Sequence, residues 1–388
     1  MTDFESIRPY EDREVPEVVA RLVRDPSLVH AAAIFSTPRL ASWAPALARW
    51  LAGRVLEQRT REVATISDVQ NFLNGYMKRL VAETIEELSV TGLDSLATDG
   101  SYLYISNHRD IFMDTGLLNY VIFHAGHQTA RSAVGDNLLT EKYAADLMRL
   151  NKSFVIERSV TGTRAVYRSL SRTSDYIRHS LETNHSVWIA QRDGRAKDGF
   201  DRTEPALLKM VALAHRKQAD SFAQLVHRVP IVPVSISYEL DPCDRQKAHE
   251  LAFIKRWGEY HKAANEDLMS IVQGMTNYKG RVHLHFSSPM TGSYEDAESL
   301  ALAIDAQIIS GLEVFPTQAW AARELGLKDV PATSDWLPKV KSAFDARLNG
   351  LPPDERLELL NGYGNLIRNR QQLGLDAGIT TPVAEPAV

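Results

Sequence analysis

The stretch Tyr102-Leu-Tyr-Ile-Ser-Asn-His-Arg-Asp-Ile-Phe-Met-Asp114 joins an apolar run to a polar corner, and a second apolar run follows Asp114. This pattern predicts a strand over Tyr102–Ser106, then a loop, then a helix. Ligands of open α/β folds bind beyond the carboxyl ends of strands, so His108 stands where a general base would be needed. Two carboxylates, Asp110 and Asp114, lie within reach of its imidazole. Taken alone, such a pair is more often a loop histidine that forms a salt bridge with a neighbouring aspartate.

The runs that surround this stretch indicate the fold class. Short apolar, β-branched runs recur along the chain, and helical patterns separate several of them. Such alternation predicts an α/β fold with a largely parallel sheet flanked by helices. The further predicted strands are Ser153–Ile156, Ser186–Ala190, Val229–Ser237 and Arg281–Phe286. The prolines of the third of these runs suggest a strand entry or a sheet edge.

Helical patterns dominate both ends of the chain. The clearest helix is predicted to start at Ser67, because Ser67 and Gln70 have the spacing of a capping box. The tail is rich in proline, alanine and threonine, which predicts disorder. We therefore expect four parts, which are an N-terminal helical region (1–87), an α/β domain (88–320), a C-terminal helical extension (321–376) and a disordered tail (377–388).

Composition narrows the functional classes. The net charge is -5 over 388 residues, which argues against nucleic-acid binding because such proteins need a basic footprint. Cys243 is the only cysteine, so neither an internal disulfide nor a thiolate metal cluster can form, and a reducing compartment is expected. The acidic N-terminus does not look like a signal peptide. The longest uncharged stretch, Thr115–Ala130, is too short and too polar to span a bilayer.

Basic residues follow two more of the predicted strands. Arg158 stands at the exit of one strand, and the next strand runs into a loop that contains Gly194 and Arg195. Glycines permit a tight loop whose backbone amides point inward. Guanidinium groups suit the geometry of phosphate, so Arg158 and Arg195 could converge on one, with Arg192 or Lys197 as further candidates. Each cluster alone is more often a solvated charged surface.

The order of these motifs resembles the glycerol-phosphate and lysophospholipid acyltransferase family over residues 88–320. That family shows an Asn-His-x-x-x-x-Asp block, a strand ending in arginine, a Gly-Arg block, a proline-containing strand and a final strand. Here they correspond to Asn107-His108…Asp114, Phe154–Arg158, Arg192–Ala196, Val229–Val234 and Gly280–Pro289. Two positions depart from the pattern. The usual four-residue gap after His108 would end at Met113, and Arg192 stands where the family usually has glutamate.

The resemblance implies direct acyl transfer. His108 would take the proton of an acceptor hydroxyl, Asp114 would orient the imidazole, and the alkoxide would attack an acyl thioester. The donor would be acyl-CoA or an acyl-carrier protein, and the acceptor glycerol-3-phosphate or 1-acyl-glycerol-3-phosphate. The scheme needs no metal and no cofactor. The implied substrate-binding residues are Asn107, Arg109, Arg158, Gly194, Arg195 and Lys197.

A lipid product implies a cytoplasmic protein that associates peripherally with a membrane surface. Trp43 and Trp50 lie on an apolar segment with Arg39, Arg49 and Arg54, so they are the candidates for that contact. Burial of both tryptophans in the core is the other interpretation.

Two other classes of protein share features with this sequence. His108-Arg109-Asp110 spells the catalytic-loop tripeptide of protein kinases, but that motif needs an asparagine where Thr115 stands, so the kinase class is rejected. A non-catalytic phosphate- or lipid-binding module stays open. It predicts binding of the acceptor without turnover.

Overall fold

A computed structural model describes residues 4–139, 141–216, 221–263, 266–375 and 385–386. The chain forms two compact units, and each is built from separated segments. One unit comprises Met1–Tyr76 and Arg131–Tyr176, and the other comprises Met77–Ala130 and Ile177–Val388. The divisions expected at residues 87 and 320 stay predictions, and the two units group the chain differently. Spatial grouping of distant segments leaves no trace in local sequence patterns.

Both units contain β-strands, and most strand pairs are parallel. The described strands are β1 (Ile85–Thr91), β2 (Leu103–Ser106), β3 (Arg131–Gly135), β4 (Ser153–Ile156), β5 (Val187–Ala190), β6 (Ile231–Tyr238), β7 (Gly280–Phe286) and β8 (Glu385–Pro386). In the first unit β3 pairs with β4 in parallel. In the second unit β2 pairs in parallel with β5 and β6, and β1 with β7. β7 runs antiparallel to β6, and β8 antiparallel to β1. The predicted α/β class with a largely parallel sheet is therefore confirmed.

The central strands of the second unit are buried along their whole length. All residues of β2 and β6 are buried, as expected for strands covered on both faces. Pro230 precedes the first residue of β6, which fits a strand entry. Pro233 lies inside a central strand, so neither of the two predicted alternatives, strand entry or sheet edge, describes it. It is tolerated because the ladder with β7 begins only at the next residue, Val234.

Helices flank the strands in both units. They are α1 (Val15–Leu22), α2 (Pro26–Ser36), α3 (Pro38–Trp43), α4 (Pro45–Thr60), α5 (Ile66–Thr84), α6 (Met113–His124), α7 (Lys142–Leu150), α8 (Thr163–Glu182), α9 (Pro205–Ala212), α10 (Phe222–Arg228), α11 (Asp244–Trp257), α12 (Glu266–Thr276), α13 (Ala297–Gly311), α14 (Pro316–Glu324), α15 (Pro338–Leu348) and α16 (Pro353–Gln372). The predicted tail falls almost entirely outside the described residues.

The predicted capping box at Ser67 and Gln70 is displaced by two residues. Thr65 Oγ1 accepts from the Asp68 amide at 3.1 Å, and the Asp68 carboxylate accepts from the Thr65 amide at 2.9 Å. Thr65 therefore caps α5, which begins at Ile66. The two boxes overlap in sequence, and aspartate at the third position serves as well as glutamine because both offer an acceptor oxygen.

No single helix among the described residues is both long enough and apolar enough to cross a membrane. One pair, α13 and α14, meets the length and composition requirements together, but its members bend by 107°.

Candidate active site

The carboxyl end of β2 places Asn107 and His108 at a fixed position in the second unit. Asn107 is fully buried, and its side chain extends the β2–β6 ladder. Its Nδ2 donates to the Ile236 carbonyl at 2.9 Å, and its Oδ1 accepts from the Ile236 amide at 2.8 Å. Asn107 thus anchors the corner that presents His108, and its role in substrate binding stays a prediction.

Asp114, and not Asp110, contacts the imidazole of His108. His108 Nδ1 lies 2.8 Å from Asp114 Oδ2. The Asp114 side chain is fully buried, whereas 14% of the His108 side chain is exposed. Asp114 lies in the first turn of α6, so the helix fixes its position. The structure therefore pairs His108 with the carboxylate six residues away, despite the departure from the usual gap.

Asp114 accepts further hydrogen bonds that define its role. Its Oδ2 accepts from the amides of Arg109 at 2.7 Å and Asp110 at 2.9 Å, and its Oδ1 accepts from the Tyr238 hydroxyl at 2.8 Å. Four donors around one carboxyl group suit an ionised acceptor. The proton of a neutral His108 then resides on Nδ1, which leaves Nε2 as the basic nitrogen. Among the described residues, none hydrogen-bonds to Nε2.

Asp110 has a different task. Its Oδ1 accepts from the amides of Phe112 at 3.0 Å and Met113 at 2.8 Å, so it caps the amino end of α6. Burial, together with the nearby charge of Asp114, raises the pKa of Asp110. Asp110 supports the helix that carries Asp114.

The loop after β5 is attached directly to the His108 corner. The Ala196 amide donates to the His108 carbonyl at 2.8 Å. Arg109 forms an ion pair with the buried Asp201, and its guanidinium also reaches the Ala196 carbonyl. Arg109 and Asn107, both predicted to bind substrate, therefore hold the site together in this structure.

The residues predicted to bind phosphate differ in their backbone conformation and in their hydrogen-bond partners. Gly194 has a φ of 73°, a left-handed conformation that favours glycine, and open space surrounds the position of a Cβ. Arg195 donates through one nitrogen to Ser270 of α12 at 3.3 Å. Its other terminal nitrogen is buried and has no hydrogen-bond partner among the described residues. Lys197 pairs with Glu250, and burial lowers its pKa while that ion pair opposes the shift.

Arg158 belongs to the first compact unit, whereas His108 belongs to the second. Within its own unit the Arg158 amide donates to Asp136 Oδ1 at 3.1 Å, and its side chain lies against Gly135. The strand end predicted before Arg158 is present as β4. Its role in binding phosphate stays a prediction.

Three residues that lie near His108 were not predicted from the sequence to belong to the site. Trp188 of β5 packs edge-to-face with the His108 ring, with 5.8 Å between the ring centroids. Tyr238 binds Asp114, and Asp201 binds Arg109. Trp188 and Tyr238 lie in or at the end of strands that the sequence indicated, whereas no local pattern marks Asp201.

A cavity of about 40 Å³ adjoins this site at Arg109 and Tyr238. Arg109, Tyr238, Lys247 and Tyr363 are among its lining residues, and His108 is not. In the part of the chain that the structure describes, no three metal-binding side chains come together.

Comparisons with known proteins agree with this geometry. Residues 87–237 match the model of the acyltransferase family. A glycerol-3-phosphate acyltransferase from Alteromonas mediterranea is 29% identical over 210 residues, which cover 54% of this chain and 23% of that protein. One from Aeromonas hydrophila is 26% identical over 258 residues, which cover 61% and 30%. The matched regions thus span less than a third of either curated relative.

A solved structure, the 1-acyl-sn-glycerophosphate acyltransferase PlsC from Thermotoga maritima, is also similar. It is 17% identical with a TM-score of 0.40, and the match covers 73% of this chain and 92% of that one. The family model spans the paired His108 and Asp114 and the loop through Lys197. Residues 87–237 of this chain are therefore similar to the acyltransferase family domain, and the two curated relatives carry the name of a glycerol-3-phosphate acyltransferase.

Proposed function

We propose that this chain is an O-acyltransferase that moves a fatty acyl group from an acyl thioester to a hydroxyl of a glycerol-phosphate acceptor. The carrying observation is the contact of His108 Nδ1 with the buried Asp114, which leaves Nε2 available as a base. The names of the two curated relatives support glycerol-3-phosphate as acceptor. The proposed donor is acyl-CoA or an acyl-carrier protein.

The proposed reaction has two steps and no acyl-enzyme. His108 Nε2 removes the proton of the acceptor hydroxyl, and the oxygen attacks the thioester carbonyl. The tetrahedral intermediate then collapses, the carbon–sulfur bond breaks, and the leaving thiolate takes the proton back from the imidazolium. Asp114 stabilises that imidazolium, as the carboxylate of a hydrolase triad does. Holding both substrates at this corner supplies much of the rate.

Arg195 is the proposed contact of the acceptor phosphate. Its buried, unpartnered nitrogen supports this role, because a buried donor without a partner is costly unless a ligand or water pairs with it. Arg195 also lies on the loop that is hydrogen-bonded to the His108 carbonyl through Ala196.

The purified chain, supplied with labelled acyl-CoA or acyl-carrier protein, should esterify glycerol-3-phosphate or its 1-acyl derivative far better than glycerol. Arg195→Ala should raise the KM for the phosphorylated acceptor roughly ten- to a hundredfold, because a charged hydrogen bond to the anion is lost. The KM for the acyl donor should change little.

Arg202→Ala is the matched control, since Arg202 is exposed, follows the same loop, and stacks on Phe200. It should leave both KM values unchanged. Equal damage by Arg195→Ala with glycerol as acceptor would show that Arg195 is structural. Binding of the acceptor without any ester product would favour the non-catalytic module.

A further inference from the structure

Two buried carboxylates, those of Asp110 and Asp114, lie close together beside His108. The Asp110 amide itself donates to Asp114 Oδ2 at 2.9 Å. Two like charges that are close together and buried do not both form readily, so the surroundings decide which carboxyl group is ionised. Proton transfer by His108 needs the charge on Asp114, because Asp114 is the carboxylate that contacts the imidazole.

The hydroxyl of Tyr238 distinguishes the two carboxyl groups. Asp110 Oδ1 accepts from two amides of α6, and Asp110 Oδ2 lies 3.8 Å from Cys243 Sγ, which is a weak donor. Asp114 Oδ2 also accepts from two amides, and Asp114 Oδ1 accepts from the Tyr238 hydroxyl at 2.8 Å. Hydrogen bonds to a carboxylate stabilise its ionised form, so Tyr238 favours the charge on Asp114 over the charge on Asp110.

The Tyr238 hydroxyl also fixes the orientation of the Asp114 carboxyl group. Within the described ranges, Asp114 Oδ1 has no other hydrogen-bond partner. A carboxyl group held at one oxygen can turn about its Cβ–Cγ bond, and a donor at the second oxygen restricts that rotation. Tyr238 is buried at the end of β6, so little water can replace its hydroxyl. Burial, and then the charges of Asp114 and Asp110, raises the pKa of Tyr238, so its hydroxyl stays a donor.

We propose that Tyr238 is a positioning residue of the acyl-transfer reaction, which keeps the negative charge on Asp114 and holds that carboxylate against His108. Tyr238 acts through Asp114 and does not touch the substrates. No bond of Tyr238 forms or breaks, and its hydroxyl keeps its proton throughout the reaction. The inference rests on the proposed function, because it assigns Tyr238 a part in the same proton transfer.

The first test is the Tyr238→Phe variant, because phenylalanine keeps the buried ring and removes only the hydroxyl. We expect kcat to fall roughly ten- to a hundredfold, since a hydrogen bond to a charged group is lost. The KM of each substrate should change by less than about twofold, because neither substrate contacts Tyr238.

A double-variant comparison separates a role through Asp114 from general damage to the fold. In the Asp114→Asn background, Tyr238→Phe should lower kcat by less than about twofold, because the charge that Tyr238 stabilises is already absent. A hydroxyl that only stabilises the fold would instead give the product of the two single losses.

Tyr363→Phe is the matched control. Tyr363 is also buried, and its hydroxyl donates at 2.6 Å to the buried carboxylate of Asp244, which is paired with Arg347. This variant should lose stability to a similar degree, as thermal unfolding measures, while its kcat stays within about twofold of the wild type. A loss of kcat in Tyr363→Phe equal to that in Tyr238→Phe would overturn the proposal.

A further measurement needs no turnover. The NMR shifts of the His108 ring nitrogens, assigned by their absence in His108→Ala, report which nitrogen carries the proton of the neutral imidazole. The wild type should hold it on Nδ1, and Tyr238→Phe should show a mixture of both tautomers. Wild-type kcat in Tyr238→Phe, a multiplied loss in the double variant, or an unchanged tautomer would overturn the proposal. Absence of acyl transfer by the wild type would overturn the proposed function instead, and the tautomer would still decide whether Tyr238 positions the Asp114–His108 pair.

Discussion

Asp110 and Asp114 are chemically identical and only four residues apart, yet the structure gives them different partners. Asp114 accepts from the His108 imidazole, two amides and the Tyr238 hydroxyl. Asp110 accepts from two amides at the start of α6. The difference follows from the helix, because only a carboxylate in its first turn is turned back toward the loop that carries His108.

Replacement of these two carboxylates should therefore have unequal effects. Asp114→Asn should lower kcat by about 10³- to 10⁴-fold, since the amide no longer stabilises the imidazolium or fixes its tautomer. Asp110→Asn keeps an acceptor oxygen for the helix cap and should lower kcat by less than about tenfold. The measurement is steady-state acyl transfer by both variants after their folding is verified. A larger loss of kcat in Asp110→Asn than in Asp114→Asn would contradict this account and would show that Asp110 orients the imidazole of His108.

Sequence reasoning found the residues of this site that are close together in the chain. His108 and Asp114 are six residues apart and follow a recognisable strand. Tyr238 and Asp201 meet that corner across 124 and 92 residues, and no local spacing encodes such contacts. The sequence also indicated that Asn107 and Arg109 bind substrate, whereas in the structure both are engaged by protein groups. The residue type determines which hydrogen bonds a side chain can form. Its neighbours in the fold determine how many of its donors and acceptors remain available to a substrate.

At the scale of elements, the apolar runs predicted the central strands within two residues of their observed bounds. Besides the two-residue β8, which lies in the tail predicted to be disordered, two strands were missed. Ile85 continues the helical spacing of α5, so the change from helix to β1 is hidden, and pairing with β7 decides it. β3 is Arg-Ser-Ala-Val-Gly, which is too polar to stand out as an apolar run, and it pairs with β4. Both strands depend on partners that are distant in sequence.

The pairing of β1 with β7 has a consequence for stability. His283 of β7 is buried between Ser89 and Thr91 of β1, and its ring nitrogens lie 2.8 and 3.1 Å from their hydroxyls. Burial, and then the charge of His285, lowers the pKa of His283 to about 4. In the unfolded chain its pKa is near 6.5. Between these values the unfolded chain binds a proton that the folded chain does not, so acid favours unfolding.

The free energy of unfolding should thus fall as the pH drops from about 6.5 to 4. His283 should account for on the order of 3 kcal/mol of this fall. Above about pH 7, His283 should cause no change of the free energy of unfolding with pH. His283→Gln should flatten that decline. Urea unfolding at several pH values measures it, and the difference between wild type and variant separates His283 from His285 and the carboxylates. His261→Gln, at a well-exposed histidine, is the control. Parallel declines in all three proteins would show that His283 is not responsible.

At the scale of the whole molecule, two segments that are far apart in sequence build each compact unit. The family domain at 87–237 therefore includes residues of both units, because 131–176 group with the N-terminal helices. A cut at residue 87 would remove most of the chain that accompanies β3 and β4 in their unit. Functional variants of this protein are consequently best made as point substitutions in the full chain.

The central claim is that His108 acts as the general base of acyl transfer, and one rate tests it most directly. This is the turnover number for transfer of a labelled acyl group from its thioester to the preferred phosphorylated acceptor, compared between the wild type and a folded His108→Ala variant. We expect kcat to fall by about 10²- to 10⁴-fold with little change in the KM of the acceptor, because only the proton transfer is removed. Near-wild-type turnover by His108→Ala would contradict the account.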